Sequence, residues 1–595
     1  MTLSKVLIAN RGEIAIRIAK GAASAGLHSV GVYAPADAAS AHIQHTDEAH
    51  ALPAYPQPVD AYLDIDALVN LARETGCDCI HPGYGFLSES AALANACTAA
   101  GLTFIGPDHE VLSLFGDKVA ARQHAQSLGI PVIPGQPVDN EAQARDFIAE
   151  YGLPVMIKAA AGGGGRGMRA VEHLEDLPDA LRRCQSEAAN AFGNGALLVE
   201  KLLTDPQHIE VQIIGDQAGS ITHLYERDCS IQQRHQKVVE IAPAPQLTPA
   251  LRQQLLDDAV KIARSCHYHN AGTVEFLVLP QTNAHFFIEC NPRIQVEHTV
   301  TEQIMGVDLV ASQFHLAAGV TLAELGLLDL PAPTGFAVQC RVVCQGSGTI
   351  VGYKEPAGAG IRVDGHGYAG YHPPADFDPL LAKLICYQPR GSYAQVLGQA
   401  DRALQEFHIQ GVATNIHQLI AILSDPQVQA GTARTTLLET LNTPSLAAGK
   451  AAAMLQQQTR TLGAKASAAS PIPNQAGGSL GVPDGHIGIS CPMAGAILEI
   501  CAQVGEIVQA GQPLLVISAM KMETSITATT AGTLTQLGEY EIGSQLAAGE
   551  VVAVVQPTAH AEAPAQVDPQ QSWLPTLTEV DTLRQLAKAR LAPGA

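Results

Sequence analysis

Pro513-Leu514-Leu515-Val516-Ile517-Ser518-Ala519-Met520-Lys521-Met522-Glu523 is an apolar, strand-like run that ends on a lysine between two methionines. Thr524 to Thr530 resumes a strand-like pattern, so the spacing predicts a β-hairpin with Lys521 on its exposed tip. The flanks decide what kind of domain carries it. Ala494-Gly495-Ala496-Ile497-Leu498 is echoed by Ala531-Gly532-Thr533-Leu534, and Gly505 and Gly511 are answered by Gly543 and Gly549. The offset is 37 to 38 residues (494 to 531, 505 to 543, 511 to 549). Two half-repeats about a central hairpin predict a small, flattened, all-β sandwich that presents Lys521.

Working outward, a chain of 595 residues exceeds what one core normally serves, so several domains are expected. Apolar residues make up 47% and mean hydropathy is near zero, as in a soluble globular protein. The net charge of −22, without a basic tract, argues against nucleic acid or an anionic membrane as partner. No apolar run reaches the roughly 18 residues of a membrane span. Val6-Leu7-Ile8-Ala9 meets Arg11 and Glu13 too soon for a secretory or transit segment. Of twelve cysteines, only Cys77 with Cys79 and Cys340 with Cys344 lie close together. Neither has a second pair nearby, which disfavours zinc and predicts free thiols in a reducing cytoplasm.

Alternation of short apolar strands with helical patterns predicts an open α/β unit over residues 1–115. Longer strands, a glycine-rich loop and helices predict a second α/β unit over 116–330, with a mobile lid at about 134–204. Residues 331–445 mix Gly, Pro and Val-rich strands with a helix, an α+β pattern. Residues 446–485 are dominated by Ala, Gln, Ser, Pro and Gly and read as a flexible linker spanning roughly 35 Å r.m.s.. The β domain follows at 486–557. A tail, 558–595, holds the only tryptophan, Trp573, and a short amphipathic segment at 576–591 suited to docking or to fraying.

Chemistry gathers in the second unit. Lys158 and the run from Gly162 to Gly165 follow the strand-like Pro154 to Ile157. Consecutive glycines let backbone N–H groups close on anionic oxygens, and the lysine precedes them, unlike in a Walker loop. A hairpin centred on Thr282 would set Glu275 opposite Glu289. Like charges in that register are tolerated around a cation such as Mg2+, with Asn291 as a further oxygen donor. Arg293 and Glu297, four apart, suggest an anion clamp beside an acid/base carboxylate, or an ordinary ion pair. Arg234, His235 and Lys237 add a cationic excess suited to gathering anionic substrates.

These stretches resemble the biotin carboxylase module of biotin-dependent carboxylases, an ATP-grasp enzyme, over residues 3 to about 445. The matching strings are Ile8-Ala9-Asn10-Arg11-Gly12-Glu13-Ile14, His81 through Glu89, Gly116-Asp117-Lys118, Glu226 through Ser230, Arg234 through Glu240, and Asn291 through His298. Met520-Lys521-Met522 resembles the attachment site of a biotin carboxyl carrier domain; lipoyl domains usually have an acidic residue before the lysine. The resemblance implies that Lys118, Lys158, the Gly164-Gly165 backbone, Glu200, Lys201, Leu203, His208 and His235 hold ATP. It implies Glu275, Glu289 and Asn291 as ligands of Mg2+ or Mn2+. Lys237, Arg293, Val296 and Arg341 would bind bicarbonate, with Glu297 as its base. Tyr84 and Arg341 would face the biotin ring, and biotin would be covalently held on Lys521.

The function so implied is a C–N bond-forming ligase that carboxylates its own biotin through carboxyphosphate. The expectation is an acyl-CoA carboxylase α subunit that supplies carboxybiotin to a separate carboxyltransferase (β) subunit. Biotin protein ligase and a homo-oligomeric carboxylase core are further expected partners. A pyruvate or urea carboxylase component, or a non-catalytic biotin carrier, are the alternatives. Two departures stand out: Ala161 replaces a glycine of the usual run, and the segment after Arg341 lacks the family's acidic residues. The domain that some acyl-CoA carboxylases place between carboxylase and carrier is absent here. Lys521→Arg is expected to abolish streptavidin detection while leaving free-biotin-stimulated ATP hydrolysis intact; biotin persisting on that variant would move the attachment site elsewhere.

Overall fold

A computed structural model describes residues 3–159, 168–192, 195–233 and 235–441, and then 480, 482–483, 485–491, 495–519, 522–538, 540–546 and 550–557. Gly164, Gly165, Lys521, the tail 558–595 and nearly all of 446–485 lie outside the described residues. Among those described, no helix is long and apolar enough to cross a membrane.

The chain begins with a five-stranded parallel sheet. Its order is Glu48–Ala51, His28–Tyr33, Lys5–Ile8, Cys79–His81 and Thr103–Phe104. Val6, Leu7 and Ile8 of the central strand are an unbroken apolar run because both its faces are covered. Val6 and Ile8 join a core with Ile14 and Ile18 of the helix Gly12–Ser24 and with Phe314. Leu7 and Ala9 join a second core, with Tyr62 and Leu68.

An eight-stranded sheet follows, in the order Ala284–Asn291, Asn270–Leu279, Gln207–Gly215, Ile221–Gln233, Gln236–Ala242, Phe336–Val343, Leu380–Gln388 and Ile361–Gly365. Strands from the stretches read as 116–330 and 331–445 are hydrogen-bonded into this one sheet, through the pairing of Gln236–Ala242 with Phe336–Val343. Ile209, Val211 and Ile213 put one face of their strand into the core under the helix Pro249–Ser265. That helix starts at Thr248, whose side chain accepts from Leu251 N, with Pro249 in the first turn. The alternate residues His208, Glu210 and Gln212 face the other way and are buried too. A sheet buried on both faces, with one face polar, is the platform for the site.

Residues 135–201 form a separate four-stranded sheet, ordered Gly135–Val138, Leu197–Lys201, Val155–Ala159 and Met168–Val171. It has its own core of Val138, Phe147, Val155, Ile157 and Val199, closed by the helices Glu141–Tyr151 and Leu177–Phe192.

The C-terminal region is a sandwich of two four-stranded sheets, as the internal repeat predicts. One contains Ile487–Ser490, Val551–Pro557, Gly532–Leu537 and Ile507–Val508; the other contains Met522–Thr527, Pro513–Ala519, Gly495–Ile500 and Gln545–Leu546. Each half-repeat lends its short strand to the other half: Ile507–Val508 pairs with Gly532–Leu537, and Gln545–Leu546 with Gly495–Ile500. Ala519 pairs with Met522 at the end of the central hairpin.

One close approach fixes the strand that carries Glu275. A Cβ on Gly272 would lie 2.0 Å from the hydroxyl oxygen of Tyr268, a fully buried ring. Gly272→Ala is expected to destabilise the fold by about 1–3 kcal/mol through overpacking, read as a lower midpoint in chemical denaturation; an unchanged midpoint would mean that Tyr268 moves freely.

Candidate active site

A row of charged residues crosses the eight-stranded sheet. Register pairs Arg227 with Glu210, Glu210 with Glu275, and Glu275 with Glu289. Directly paired residues share a face, so three carboxylates stand side by side. The hairpin pairs Leu279 with Ala284 and Phe276 with Phe287, a register that alone would set Ile288 against Glu275. A bulge leaves Ile288 without a partner and restores Glu289 opposite Glu275. The turn therefore differs by one residue from a hairpin centred on Thr282, while the predicted carboxylate pair is present.

Cations answer the row. The Arg227 side chain is fully buried, pairs with Glu210, and donates to Gln212 (2.7 Å), Thr301 (2.9 Å), Gln295 (2.8 Å) and Thr273 (3.2 Å). Lys237 Nζ lies 2.5 Å from Glu210, 2.9 Å from Glu275 and 2.8 Å from Glu297. Arg341 Nη2 donates to the second oxygen of Glu297 at 3.0 Å, and its Nε to Glu240 at 2.5 Å. Burial alone would raise the Glu297 pKa, but Lys237, Arg341 and Arg227 together hold this carboxyl well below its ordinary range. Burial disfavours the Lys237 ammonium, yet Glu210, Glu275 and Glu297 outweigh it and hold the group charged. Glu240 goes the other way: burial pushes it up despite Arg341, and repulsion from Glu297 adds to that.

Asn291 Nδ2 donates to Glu275 at 3.0 Å and reaches Glu289 at 3.4 Å, and Lys118 Nζ is 3.5 Å from Glu289. An amide N–H and an ammonium thus occupy the positions where these carboxylates need positive charge. Two carboxylates and an amide of this kind, all able to present oxygen, fit a hard divalent cation. His208, Glu210 and Glu275 also bring ligand atoms within 4.8 Å of one another, as do Glu210, Cys229 and Glu297. Lys237 already neutralises the carboxylates there, so these groups form an ion-pair ring rather than a second metal centre.

His208 Nε2 is 2.7 Å from Glu275, and Gln232 holds its Nδ1 at 2.7 Å. His235 has φ +63°; desolvation lowers its pKa, Glu439 opposes this, and Lys158 and His208 lower it further. On the separate sheet Lys158 pairs with Glu200, and its charge is felt at His235. Arg122 Nη1 also donates to Glu200, at 3.0 Å. Lys201 is turned away, donating to Leu153 O at 2.9 Å and Gly152 O at 3.3 Å, and Leu203 lies just beyond its strand.

Arg293 and Glu297 do not pair. Arg293 donates to Glu89 at 2.7 Å and to Asn291 Oδ1 at 2.8 Å, because the helix begins only at His298 and four-residue spacing before it does not make neighbours. The Val296 carbonyl accepts from Lys383 at 3.2 Å. The Tyr84 hydroxyl donates to Glu13, which pairs with Lys383 at 2.9 Å. Glu210, Arg227 and Lys383 were not predicted as site residues. The signal for Glu210 was His208-Ile209-Glu210-Val211-Gln212, an alternation that also describes a solvent-facing strand.

Four family models match this chain: "Biotin carboxylase, N-terminal domain" over residues 2–112, "Carbamoyl-phosphate synthase L chain, ATP binding domain" over 117–325, "Biotin carboxylase C-terminal domain" over 341–440, and "Biotin-requiring enzyme" over 488–555. The pyruvate carboxylase of Schizosaccharomyces pombe is 47% identical over 450 residues, 73% of this chain and 38% of that protein. The mitochondrial pyruvate carboxylase of Homo sapiens is 47% identical over 449 residues, with the same shares. The chain thus spans 38% of the length of these curated relatives. Among solved structures, the biotin carboxylase domain of Hydrogenobacter thermophilus 2-oxoglutarate carboxylase, in complex with MgADP and bicarbonate, is 39% identical. It covers 74% of this chain and 98% of its own, with a TM-score of 0.70. Rhizobium etli pyruvate carboxylase is 41% identical, covering 74% of this chain and 40% of its own, with a TM-score of 0.71.

The curated relatives overturn the expectation of an acyl-CoA carboxylase with a separate carboxyltransferase subunit, because they are pyruvate carboxylases. The physical reason is that a pocket which activates bicarbonate and carboxylates biotin never meets the final acceptor. Its residues therefore do not encode which acceptor is used. The matched models bring ATP binding and a requirement for biotin, and Mg2+ accompanies ADP in the Hydrogenobacter thermophilus domain. The chain belongs to the biotin-dependent carboxylases, with a biotin carboxylase of N-terminal, ATP-grasp and C-terminal parts joined to a biotin-bearing β domain.

Proposed function

We propose that this chain uses ATP and bicarbonate to carboxylate biotin held on its own Lys521, and that the carboxyl group is destined for pyruvate. The observation that carries the first part is the ring of Lys237, Arg341 and Glu297. Two partly buried, fixed cations and one buried, ionised carboxylate suit a small anion that must lose a proton as it reacts. Lys237, Arg341, Arg293 and the Val296 backbone would hold bicarbonate. As the anion takes up the charge of Lys237 and Arg341, the basicity of Glu297 rises, and it accepts the proton while a bicarbonate oxygen attacks the γ-phosphorus and ADP leaves. Carboxyphosphate then breaks its C–O bond to give CO2 and phosphate, and the phosphate takes the proton from the ureido nitrogen that bonds CO2. Arg341, always charged, would stabilise the ureido oxygen in that step.

Lys118, Lys158, the Gly164-Gly165 backbone, Glu200, Lys201, Leu203, His208 and His235 would hold the nucleotide. Glu275, Glu289 and Asn291 would hold Mg2+, or Mn2+ in its place, which supplies neutralisation of phosphate charge. Tyr84 would face the biotin ring. Closure of the 134–204 unit over the site would exclude water from the labile intermediate.

Pyruvate as acceptor is supported by the 47% identity to pyruvate carboxylases. The carboxyltransferase that serves it lies in none of the four matched segments. Biotin protein ligase would load Lys521, and a carboxylase dimer like that of the Hydrogenobacter thermophilus domain is the expected assembly. Twelve free thiols suit a reducing cytoplasm. The intact ring disfavours a non-catalytic carrier.

Bicarbonate-dependent ATP hydrolysis stimulated by free biotin tests the first part, and its absence would refute it. Carboxyl transfer to pyruvate rather than to an acyl-CoA, with carboxyltransferases of each kind supplied, tests the second. Glu297→Gln should lower the bicarbonate-dependent rate about 10²–10⁴-fold. Lys237→Met should cost about 3–5 kcal/mol of stability at neutral pH, because it orphans buried carboxylates. The pH dependence gives the sign. In the wild type the depressed pKa values of Glu275 and Glu297 contribute stability above their unfolded values, which is lost as pH falls through the folded ones. In Lys237→Met these carboxyls should titrate above their unfolded values, so that variant should gain stability as pH drops from 7 to 5. Denaturant midpoints across pH read both slopes, and parallel slopes would contradict the ring.

A further inference from the structure

A buried ion pair takes no part in the steps above, yet it touches both walls of the pocket. Lys383, on the strand Leu380–Gln388, is fully buried and is the register partner of Arg341. Its Nζ lies 2.9 Å from Glu13 Oε2 and 4.0 Å from Asp364 Oδ2, and donates to the Val296 carbonyl at 3.2 Å. Val296 immediately precedes Glu297 in the segment that also carries Arg293. On the other side, the second oxygen of Glu13 accepts from the Tyr84 hydroxyl. Asn10, three residues before Glu13, donates through its side chain to Pro82 O at 2.7 Å and Tyr84 O at 2.9 Å. The backbone and the hydroxyl of Tyr84 are thus both held from one short stretch of chain.

Sinking an ammonium and a carboxylate this deep costs more than an apolar pair of similar volume, so bulk stability does not account for the choice. What the charges supply is direction. A lysine with two fixed acceptors has one place to stand, and each acceptor belongs to a different wall: helix Gly12–Ser24 under Tyr84, and the segment before helix His298–Met305 under Glu297.

We propose that Lys383 and Glu13 are positioning residues that hold Tyr84 in register with the 293–297 segment and so set where the biotin ring stands relative to Glu297. This rests on the reading of Tyr84 as the residue facing biotin. Tyr84–Glu13–Lys383–Val296 forms a continuous polar tie from the ring-binding wall to the catalytic one. Loosening it frees the biotin wall without touching the groups assigned to the nucleotide.

Steady-state kinetics of the full chain with free biotin as the varied substrate tests this. Biotin-stimulated ATP hydrolysis by the wild type is the prior condition; its absence refutes the biotin carboxylase reading and leaves nothing for Lys383 to position. With that activity present, Lys383→Met/Glu13→Gln removes both charges together and orphans neither. Its KM for biotin is expected to rise about tenfold, the scale of one lost hydrogen bond to a charged group, with the KM for ATP unchanged. Adding Tyr84→Phe should then raise the biotin KM by less than about twofold, because the hydroxyl's partner at position 13, though still an acceptor, is no longer anchored to Lys383. A biotin KM within about twofold of wild type, an equal rise in the KM for ATP, or a full Tyr84→Phe effect in that background overturns the proposal. Should the double variant fail to melt cooperatively, Tyr84→Phe and Glu13→Gln are measured singly and together: non-additive rises in the biotin KM support the tie, and additive or absent ones refute it.

Discussion

Three carboxylates in one row of a buried sheet face set the terms for everything around them. Two unit charges 4 Å apart interact by about 4 kcal/mol at an effective dielectric constant of 20, so Glu210, Glu275 and Glu289 cannot share a face unless cations are brought to them. Arg227 closes one end of the row, Lys118 approaches the other, and Lys237 stands over the middle. The hairpin bulge at Ile288 makes sense in this light, since without it Glu289 would leave the row. The site is thus a charge-balanced platform whose cations become available when an anionic substrate competes for them.

That balance also explains why parts of the site were legible in the sequence and others were not. Glu275 and Glu289 could be found by counting outward from a turn centred on Thr282, because the bulge at Ile288 offsets the one-residue difference in the turn's register and returns both carboxylates to one face. Glu210 and Arg227 could not. His208, Glu210 and Gln212 alternate with Ile209, Val211 and Ile213, the pattern of a strand with one wet face, and only the tertiary arrangement reveals that the polar face is covered as well. Arg293 and Glu297 misled in another way: four-residue spacing makes neighbours only within a helix, and the helix starts one residue after Glu297. The β domain was the most legible part, since its internal repeat fixed which strands correspond. Its exchange of short strands between halves lay beyond the repeat itself. The acceptor was illegible for chemical reasons, as no residue of the carboxylase pocket meets it.

The four residues Asn10 to Glu13 show how one stretch serves several masters. They leave the central parallel strand at its C-terminal edge, where open α/β sheets gather ligands. Asn10 holds the 82–84 loop, and Arg11 forms a bidentate pair with Asp37 at 2.5 and 2.7 Å beneath the ring of Phe377. Gly12 adopts φ +62°, a conformation that side chains resist, with the His366 ring close by. Glu13 reaches Tyr84 and Lys383. The beginning of the chain is therefore stapled to a strand 370 residues later (13 to 383), and the parallel sheet and the large antiparallel sheet keep a fixed relation at the pocket.

Ile487 pairs with Val555, so the first and last strands of the β domain run side by side. A unit whose entrance and exit adjoin behaves as a cassette: it can be cut from one polypeptide and spliced into another without disturbing either neighbour. Moving it along a chain would leave the pairing of its own first and last strands intact.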